Sequence, residues 1–260
     1  MATDPTDPSA DSGAPPSGFW TRIGAAPAPV AGIVNQADLW PWNLVLDRSR
    51  PLPAALEWRL DTLFGSDLNS DRALPDPAGL STPPLPLLLT ARHPDEGGDH
   101  DLSAVKRAAL LRHFLPLADA IDIELRSMEE LADVADEARQ AGVAVLASAH
   151  DFERTPDRET LLDLILQAEQ SGADAVKIAT RTEDPASMLR LLAPFADRRP
   201  GAPPLILMGM GRMGRISRLA AVALGSPLAY GHLGHANVPG QWHAVELAEA
   251  LIRQRGGADV

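Results

Sequence analysis

AGVAVLASAHDFERTP, residues 141–156, and SGADAVKIAT, residues 171–180, frame the stretch that decides the fold. Val143 to Ala147 is a short apolar run of the kind that fills a strand buried on both faces, and it stops at His150 and Asp151. From Asp157 to Ser171, residues Leu161, Leu162, Leu164, Ile165 and Ala168 fall at helical spacing, opened by Thr155-Pro156 and closed by Gly172. Ala173 to Ala179 is a second buried strand with Lys177 inside it. Strand, helix and strand in this order make a right-handed βαβ unit, so the two strands are parallel neighbours whose C-terminal ends point the same way. His150 and Lys177 can meet at those ends.

A lysine in an apolar run can pack its stem and carry its ammonium to solvent. It can also sit desolvated at a strand end, where a free amine attacks a carbonyl and forms a Schiff base. A histidine on the adjacent strand end would then be a proton shuttle. Spacing alone leaves both readings open.

Working outward, the segment after Thr180 predicts a helix from Pro185 to Ala193, a breaker run from Arg199 to Pro204 and a strand from Leu205 to Met208. The following GMGRMG, Gly209 to Gly214, has the G-x-G-x-x-G spacing of a dinucleotide-binding turn. That fold also needs an acidic residue about 20 positions on, and no Asp or Glu occurs between Arg215 and Val245, so the dinucleotide reading is rejected. Arg212, Arg215 and Arg218 instead place guanidinium groups near the start of the next helix, where an anion is favoured, or simply form a solvated basic turn. Pro227 to Tyr230 is a last strand, His232 to Gln241 a Gly-rich loop suited to closing over a site, and His243 to Arg253 a last helix.

Upstream, Ala120 to Leu125 is a strand, flanked by helices from Ser103 to Leu115 and from Met128 to Ala141. Asp122 and Glu124 share one side of it; substrate contact and pairing with a neighbouring cation are both open. Leu85 to Ala91 is a strand that delivers Arg92 and, past a turn, Glu96-Gly97-Gly98. Leu63 to Pro84 is proline-rich and reads as an irregular connection, longer than most βα units need, with room for a helix whose position the pattern does not give. Ala55 to Asp61 is a strand on which alternation puts Glu57, Arg59 and Asp61 on one side, a charged set that suits the polar mouth of a parallel barrel. Pro29 to Asn35 is the first strand, with a short helix from Ala37 to Leu46 after it. Eight strands alternating with helices over roughly 220 residues fit an α/β chain folded as a single-domain (β/α)8 TIM barrel, its site at the C-terminal strand ends. The expected layout is a disordered tail over residues 1–18, rich in Pro, Ser and Asp, and a barrel over residues 19–255.

A formal net charge of −12 argues against nucleic acid and against an anionic membrane surface as partners. The sequence holds no cysteine, which excludes disulfides and thiol-ligated metal and fits a reducing cytoplasm. No apolar run approaches the ~20 residues of a membrane span, and no signal peptide is evident. Oligomeric state cannot be read from these residues; a homodimer is carried as an expectation.

SAHDFERTP and ADAVKIA, together with LEWRLD (Leu56 to Asp61), TARHPDEGG (Thr90 to Gly98), IDIEL (Ile121 to Leu125), MGMGRMGRISR (Met208 to Arg218) and VPGQ (Val238 to Gln241), occur in the order of one known family. Over about Val30 to Leu251 the chain resembles type I 3-dehydroquinate dehydratase, the metal-free, cofactor-free Schiff-base lyase of the shikimate and quinate pathways. The resemblance implies that Lys177 forms an imine with the ketone of 3-dehydroquinate, that His150 is general base and acid, and that Glu96 orients the histidine. It implies that Glu57, Arg59 and Arg92 bind the ring hydroxyls, and that Arg218, with two parallel hydrogen bonds, and Gln241 hold the carboxylate. The position two before PGQ, commonly a serine in the family, is Asn237, expected beside that carboxylate; His232 and His235 are further departures. A non-catalytic or substrate-shifted barrel that binds a shikimate-like carboxylate is the alternative, and an aldolase-like Schiff-base lyase a third reading.

Overall fold

The computed structural model describes residues 18–36, 49–70, 72–80 and 85–256. Eight parallel strands alternate with helices and curl into a barrel: β1 (Val30–Val34), β2 (Ala55–Arg59), β3 (Leu87–Thr90), β4 (Ala120–Glu124), β5 (Ala144–Asp151), β6 (Ala175–Arg181), β7 (Leu205–Met210) and β8 (Ala229–His232). The two-residue β9 (Trp242–His243) adds beside β8, which sequence reading did not expect, and the sheet order is β7-β6-β5-β4-β3-β2-β1-β8-β9. The helices are α1 (Gly18–Gly24), α2 (Leu60–Asn69), α3 (Ala104–Phe114), α4 (Ala132–Gln140), α5 (Arg158–Gln170), α6 (Pro185–Leu192), α7 (Gly214–Ala223) and α8 (Ala244–Gly256).

Strand alternation decides what fills the barrel. The inward positions start as an apolar floor, with Ala31, Ala55, Leu88, Ala120, Ala144, Ala175, Ile206 and Leu228 in one cluster. Phe19 and Ile23 of α1 join that cluster, and Arg22 of the same helix pairs with Asp119, just before β4, so α1 packs at the N-terminal ends of the strands. Two residues further along, the same face turns polar and stays buried on four strands, at Glu57, Thr90, Asp122 and Lys177, and Ser148 of β5 joins them two residues beyond Leu146. Outward positions such as Trp58, Leu89, Ile121 and Val145 pack beneath the helices with Leu111 and Phe114 of α3.

The connection after β2 departs from expectation. Leu60 to Asn69 is a helix, so the strand ends at Arg59 and Asp61 lies in the first turn of α2. Leu60, Leu63 and Phe64 carry its buried face, a 3–4 spacing obscured by the prolines that follow. The helix after β3 matches its expected span to within one residue at each end, whereas the one after β4 is shorter, because Leu125–Ser127 forms a 3-10 turn before α4 begins at Ala132. Of the expected tail, residues 1–17 lie outside the described residues, while Gly18 already opens α1; the expected helix from Ala37 to Leu46 also lies outside them. No described helix is long and apolar enough to cross a membrane.

No backbone ladder joins β7 to β8 among the described residues, which leaves a seam in the barrel wall. Arg218 of α7 spans it: Nη1 donates to Gly209 O on β7 and to Gly214 O, both at 2.7 Å, and Nε donates to Tyr230 O on β8 at 3.0 Å. Met at position 218 would keep the volume and strip these carbonyls of their donors. Arg218→Met should therefore lose about 2–4 kcal/mol in urea unfolding, at roughly 1 kcal/mol for each of the bonds.

Candidate active site

The polar layer opens into one cavity of about 140 Å³ at the C-terminal strand ends. Its lining includes all nine residues to which the resemblance gave a role: Glu57, Arg59, Arg92, Glu96, His150, Lys177, Arg218, Asn237 and Gln241. Ile33, Phe152, Met208, Met210 and Tyr230 also line it; they were not singled out, because an apolar residue on a strand reads as core.

Lys177 sits deep, 4% exposed, in register with Ser148 of β5. Its Nζ donates to Asp122 Oδ2 at 2.9 Å, lies 3.6 Å from Glu57 Oε1 and stands 4.3 Å from the centre of the Tyr230 ring. Asp122 is the hub of this layer. It also receives both Nη atoms of Arg92 at 3.0 Å and the Ser148 hydroxyl at 2.5 Å. Burial by itself would raise the Asp122 carboxyl, but the charges of Arg92 and Lys177 outweigh it and hold the group far below the usual carboxylate range. The question left open by the sequence is thus decided for pairing: Asp122 and Glu124 meet cations. Glu124 takes Arg92 Nη1 on one oxygen and Arg107 Nη1 on the other, each at 2.9 Å.

Arg92, which the resemblance places at the ring hydroxyls, lines the cavity and is held in it by buried partners. Its guanidinium is committed to Asp122, Glu124 and Ser148, and its charge is raised in persistence by the two carboxylates despite complete burial. Arg59 is gripped by Asp61 through Nε and Nη2, at 3.0 and 2.7 Å, and gives Nη2 to Gly97 O as well.

His150 and Glu96 form a second unit above the lysine. Glu96 Oε2 accepts the backbone N–H of His150 at 3.0 Å and lies 2.9 Å from Nδ1. The turn after β3 makes this reach possible. Gly97 has φ of 83°, and a Cβ on Gly98 would come within 2.2 Å of the Arg92 carbonyl oxygen, so the turn closes only with glycine there. Burial pushes the Glu96 carboxyl up to about 7, with the charge of Glu124 adding to it against the pull of Arg92. Burial, then the charges of Arg92 and Lys177, push His150 well below its ordinary value, so its imidazole is neutral at neutral pH and able to accept a proton.

The third unit is the loop from β8 to β9. Its Asn237 N donates to Gln241 Oε1 at 2.8 Å, and Asn35, just past β1, donates Nδ2 to Asn237 Oδ1 and to His235 O. On its other flank Gly211 N donates to Pro239 O at 2.9 Å, and Gly240 packs so closely that a Cβ would lie 2.0 Å from Gly211 O. Two glycines of GMGRMG serve this loop contact: Gly211 through its backbone, and Gly214 because a Cβ there would lie 2.8 Å from Gly240 O. Arg218 is fully buried with no carboxylate beside it, and burial lowers its guanidinium to about 10. Since Nε and Nη1 already hold carbonyls, the expected two-point grip on a carboxylate is reduced to Nη2. Nη2 of Arg218, Nε2 of Gln241 and Nδ2 of Asn237 are the donors on this wall without a partner among the described residues. Arg212 and Arg215 do not line the cavity; Arg215 lies over the Trp242 ring at 4.6 Å. Among the described residues no group of His, Asp and Glu could hold a metal ion.

A family model for type I 3-dehydroquinase matches residues 46–257 of the chain. A 3-dehydroquinate dehydratase from Neisseria gonorrhoeae is 34% identical over 249 residues, covering 92% of this chain and 96% of that protein. One from Klebsiella pneumoniae is 36% identical over 203 residues, covering 75% and 80%. The crystal structure of 3-dehydroquinate dehydratase from Geobacillus kaustophilus is similar with a TM-score of 0.76 at 30% identity, covering 88% of this chain and 91% of that one.

The Asp122 hub can be tested directly. Asp122→Asn leaves Arg92 and Lys177 buried around a neutral amide, and should cost about 3–5 kcal/mol in urea unfolding at pH 7. Because the native carboxyl is held low, the wild type keeps this advantage above the unfolded-state value of roughly 4 and loses it below. The deficit of the variant should shrink as pH falls from about 4 toward 2.

Proposed function

Because the chain belongs to the type I 3-dehydroquinase family, we propose that it is a 3-dehydroquinate dehydratase that eliminates water from 3-dehydroquinate through an imine on Lys177. The observation that carries this reading is one cavity holding a buried amine, a neutral imidazole backed by a carboxyl, and a wall of unpaired donors fit for a carboxylate.

Lys177 condenses with the ring ketone. The cationic imine then withdraws electrons from the adjacent C–H bond, so the proton alpha to it becomes removable without a cofactor. Glu96 sets which face of His150 does this. With Glu96 ionised, its Oε2 accepts Nδ1–H and Nε2 is bare and basic; once Nε2 has taken the proton, the pair holds it until the β-hydroxyl leaves as water. The elimination creates the ring double bond of 3-dehydroshikimate, and water releases the product from the lysine.

The substrate carboxylate is held by Nη2 of Arg218, Gln241 and Asn237, which turns the opposite edge of the ring toward Lys177. Glu57 and Arg59 on β2 take the ring hydroxyls, and Arg92 acts through Asp122, fixing the carboxylate that positions the lysine. Met208 and Met210 supply the apolar wall that keeps bulk water from the imine.

Purified protein mixed with 3-dehydroquinate should develop the ultraviolet absorbance of the conjugated product. Borohydride added with substrate should attach one ligand mass to Lys177, and Lys177→Ala should neither turn over nor take the label. A label on another lysine, or turnover by Lys177→Ala, overturns the imine assignment. His150→Ala should still be labelled while its turnover falls by about two to four powers of ten.

The pH profile tests the histidine–carboxyl pair. The base form requires Glu96 ionised, and its carboxyl is pushed up to about 7, so kcat should rise as pH is raised through about 7. In Glu96→Gln the remaining titration is that of His150, which lies well below its ordinary value, so the acid limb should move to lower pH. An unshifted limb would remove Glu96 from this role.

A further inference from the structure

Tyr230 is the one tyrosine of the sequence, and its side chain points from β8 into the same buried layer as Lys177. The residue is 1% exposed, its ring lies 4.3 Å from Lys177 Nζ, and it lines the cavity. Its hydroxyl is buried with no hydrogen-bond partner among the described residues. A buried hydroxyl left unpaired is destabilising, whereas a phenylalanine of the same shape would carry no such penalty at this position. Within this cavity the protein groups nearest in charge are Glu57, Asp122 and Arg92, and these are committed to Thr90, Lys177, Ser148 and one another. The missing partner must come from what fills the cavity.

We propose that the Tyr230 hydroxyl is a further catalytic group, which hydrogen-bonds the oxygen on the carbon that joins Lys177 Nζ, during both formation and hydrolysis of the imine. This rests on the imine reading given above. In condensation the ammonium and the ketone become a cationic imine and water. The Nζ–carbon bond forms, the carbon–oxygen bond breaks, and the oxygen departs with two of the three ammonium protons, so no outside proton donor or oxidant is needed. The departing oxygen is bonded to the carbon that Nζ attacks, over the tyrosine ring, and a neutral phenol can donate to it as it gains charge. Burial, reinforced by the charges of Glu57 and Asp122, pushes the phenol well above its ordinary value, so it stays a donor across the working pH range. Release of product runs the same steps backward with the entering water in that place.

Tyr230→Phe is the test. In rapid-mixing experiments quenched with borohydride, imine formation should slow by roughly five- to tenfold, in keeping with one lost hydrogen bond to a developing charge. Elimination from the formed imine should keep its wild-type rate, and the melting temperature should be equal or higher, since an unpaired buried hydroxyl has been removed. A purely structural tyrosine would leave the condensation rate unchanged, and that result overturns the proposal. A second measurement stands apart from the imine. Lys177→Ala mixed with 3-dehydroquinate should show a tyrosine band in the ultraviolet difference spectrum that is lost in Lys177→Ala/Tyr230→Phe. If the band appears but borohydride labels no lysine in the wild type, the imine reading fails while the tyrosine contact stands. If labelling occurs and the band is missing, the tyrosine proposal fails by itself.

Discussion

A carboxylate with no solvent contact must be surrounded by donors, and Asp122 satisfies this by binding Arg92, Ser148 and Lys177 at once. That requirement fixes Lys177. Nζ has little freedom when one of its hydrogens must stay on Asp122 and its other neighbours are Glu57 and the face of Tyr230. The constraint then spreads outward. Arg92 ties Asp122 to Glu124, and Glu124 ties Arg92 to Arg107 of α3, a helix outside the barrel. Three buried carboxylates, Glu57, Asp122 and Glu124, thus stand against three buried cations, Arg92, Arg107 and Lys177. In the proposed reaction an ammonium becomes a cationic imine, so this balance is unchanged at the step where the intermediate forms, and the layer has no new charge to accommodate.

What could be read from the sequence follows from how local each signal is. The β5–α5–β6 unit was legible because buried strands and a capped helix carry their pattern within a few residues; Gly172 ends that helix as the sequence suggests, and Asp157, its expected first residue, caps the start one residue later than Thr155-Pro156 indicated. The barrel was legible as a repetition of such units. α2 was not, because its apolar spacing sits between a charged strand end and a run of prolines, and Asp61 looked like one more alternating strand residue. The candidate site shows the same division. Spacing could suggest that His150 and Lys177 share a sheet edge, and the resemblance supplied the remaining seven residues. Nothing in the chain could tell that Arg92 would be consumed by Asp122 and Glu124, since that depends on three strands meeting. Tyr230 was passed over for a related reason: on a buried strand its ring reads as core, and only the structure leaves its hydroxyl without a partner.

The loop carrying Asn237 shows how a departure from the family pattern is met by a local partner. Its amide oxygen is occupied by Asn35, so the nitrogen is the end left for the cavity, the same donor sense that a serine hydroxyl would offer. The loop is held from β1 on one flank and from the β7–α7 turn on the other, and thus lies across the seam that Arg218 spans from within.

That seam gives ligand binding a reach beyond the cavity. One guanidinium joins β7 to β8 through Nη1 and Nε, and the same residue lines the cavity with Nη2 left over. An occupant that pulls on Nη2 draws the same side chain that keeps the wall continuous, so occupancy and barrel closure are linked equilibria. One side chain thus serves the barrel wall and the cavity wall together, and a change in either is felt by the other.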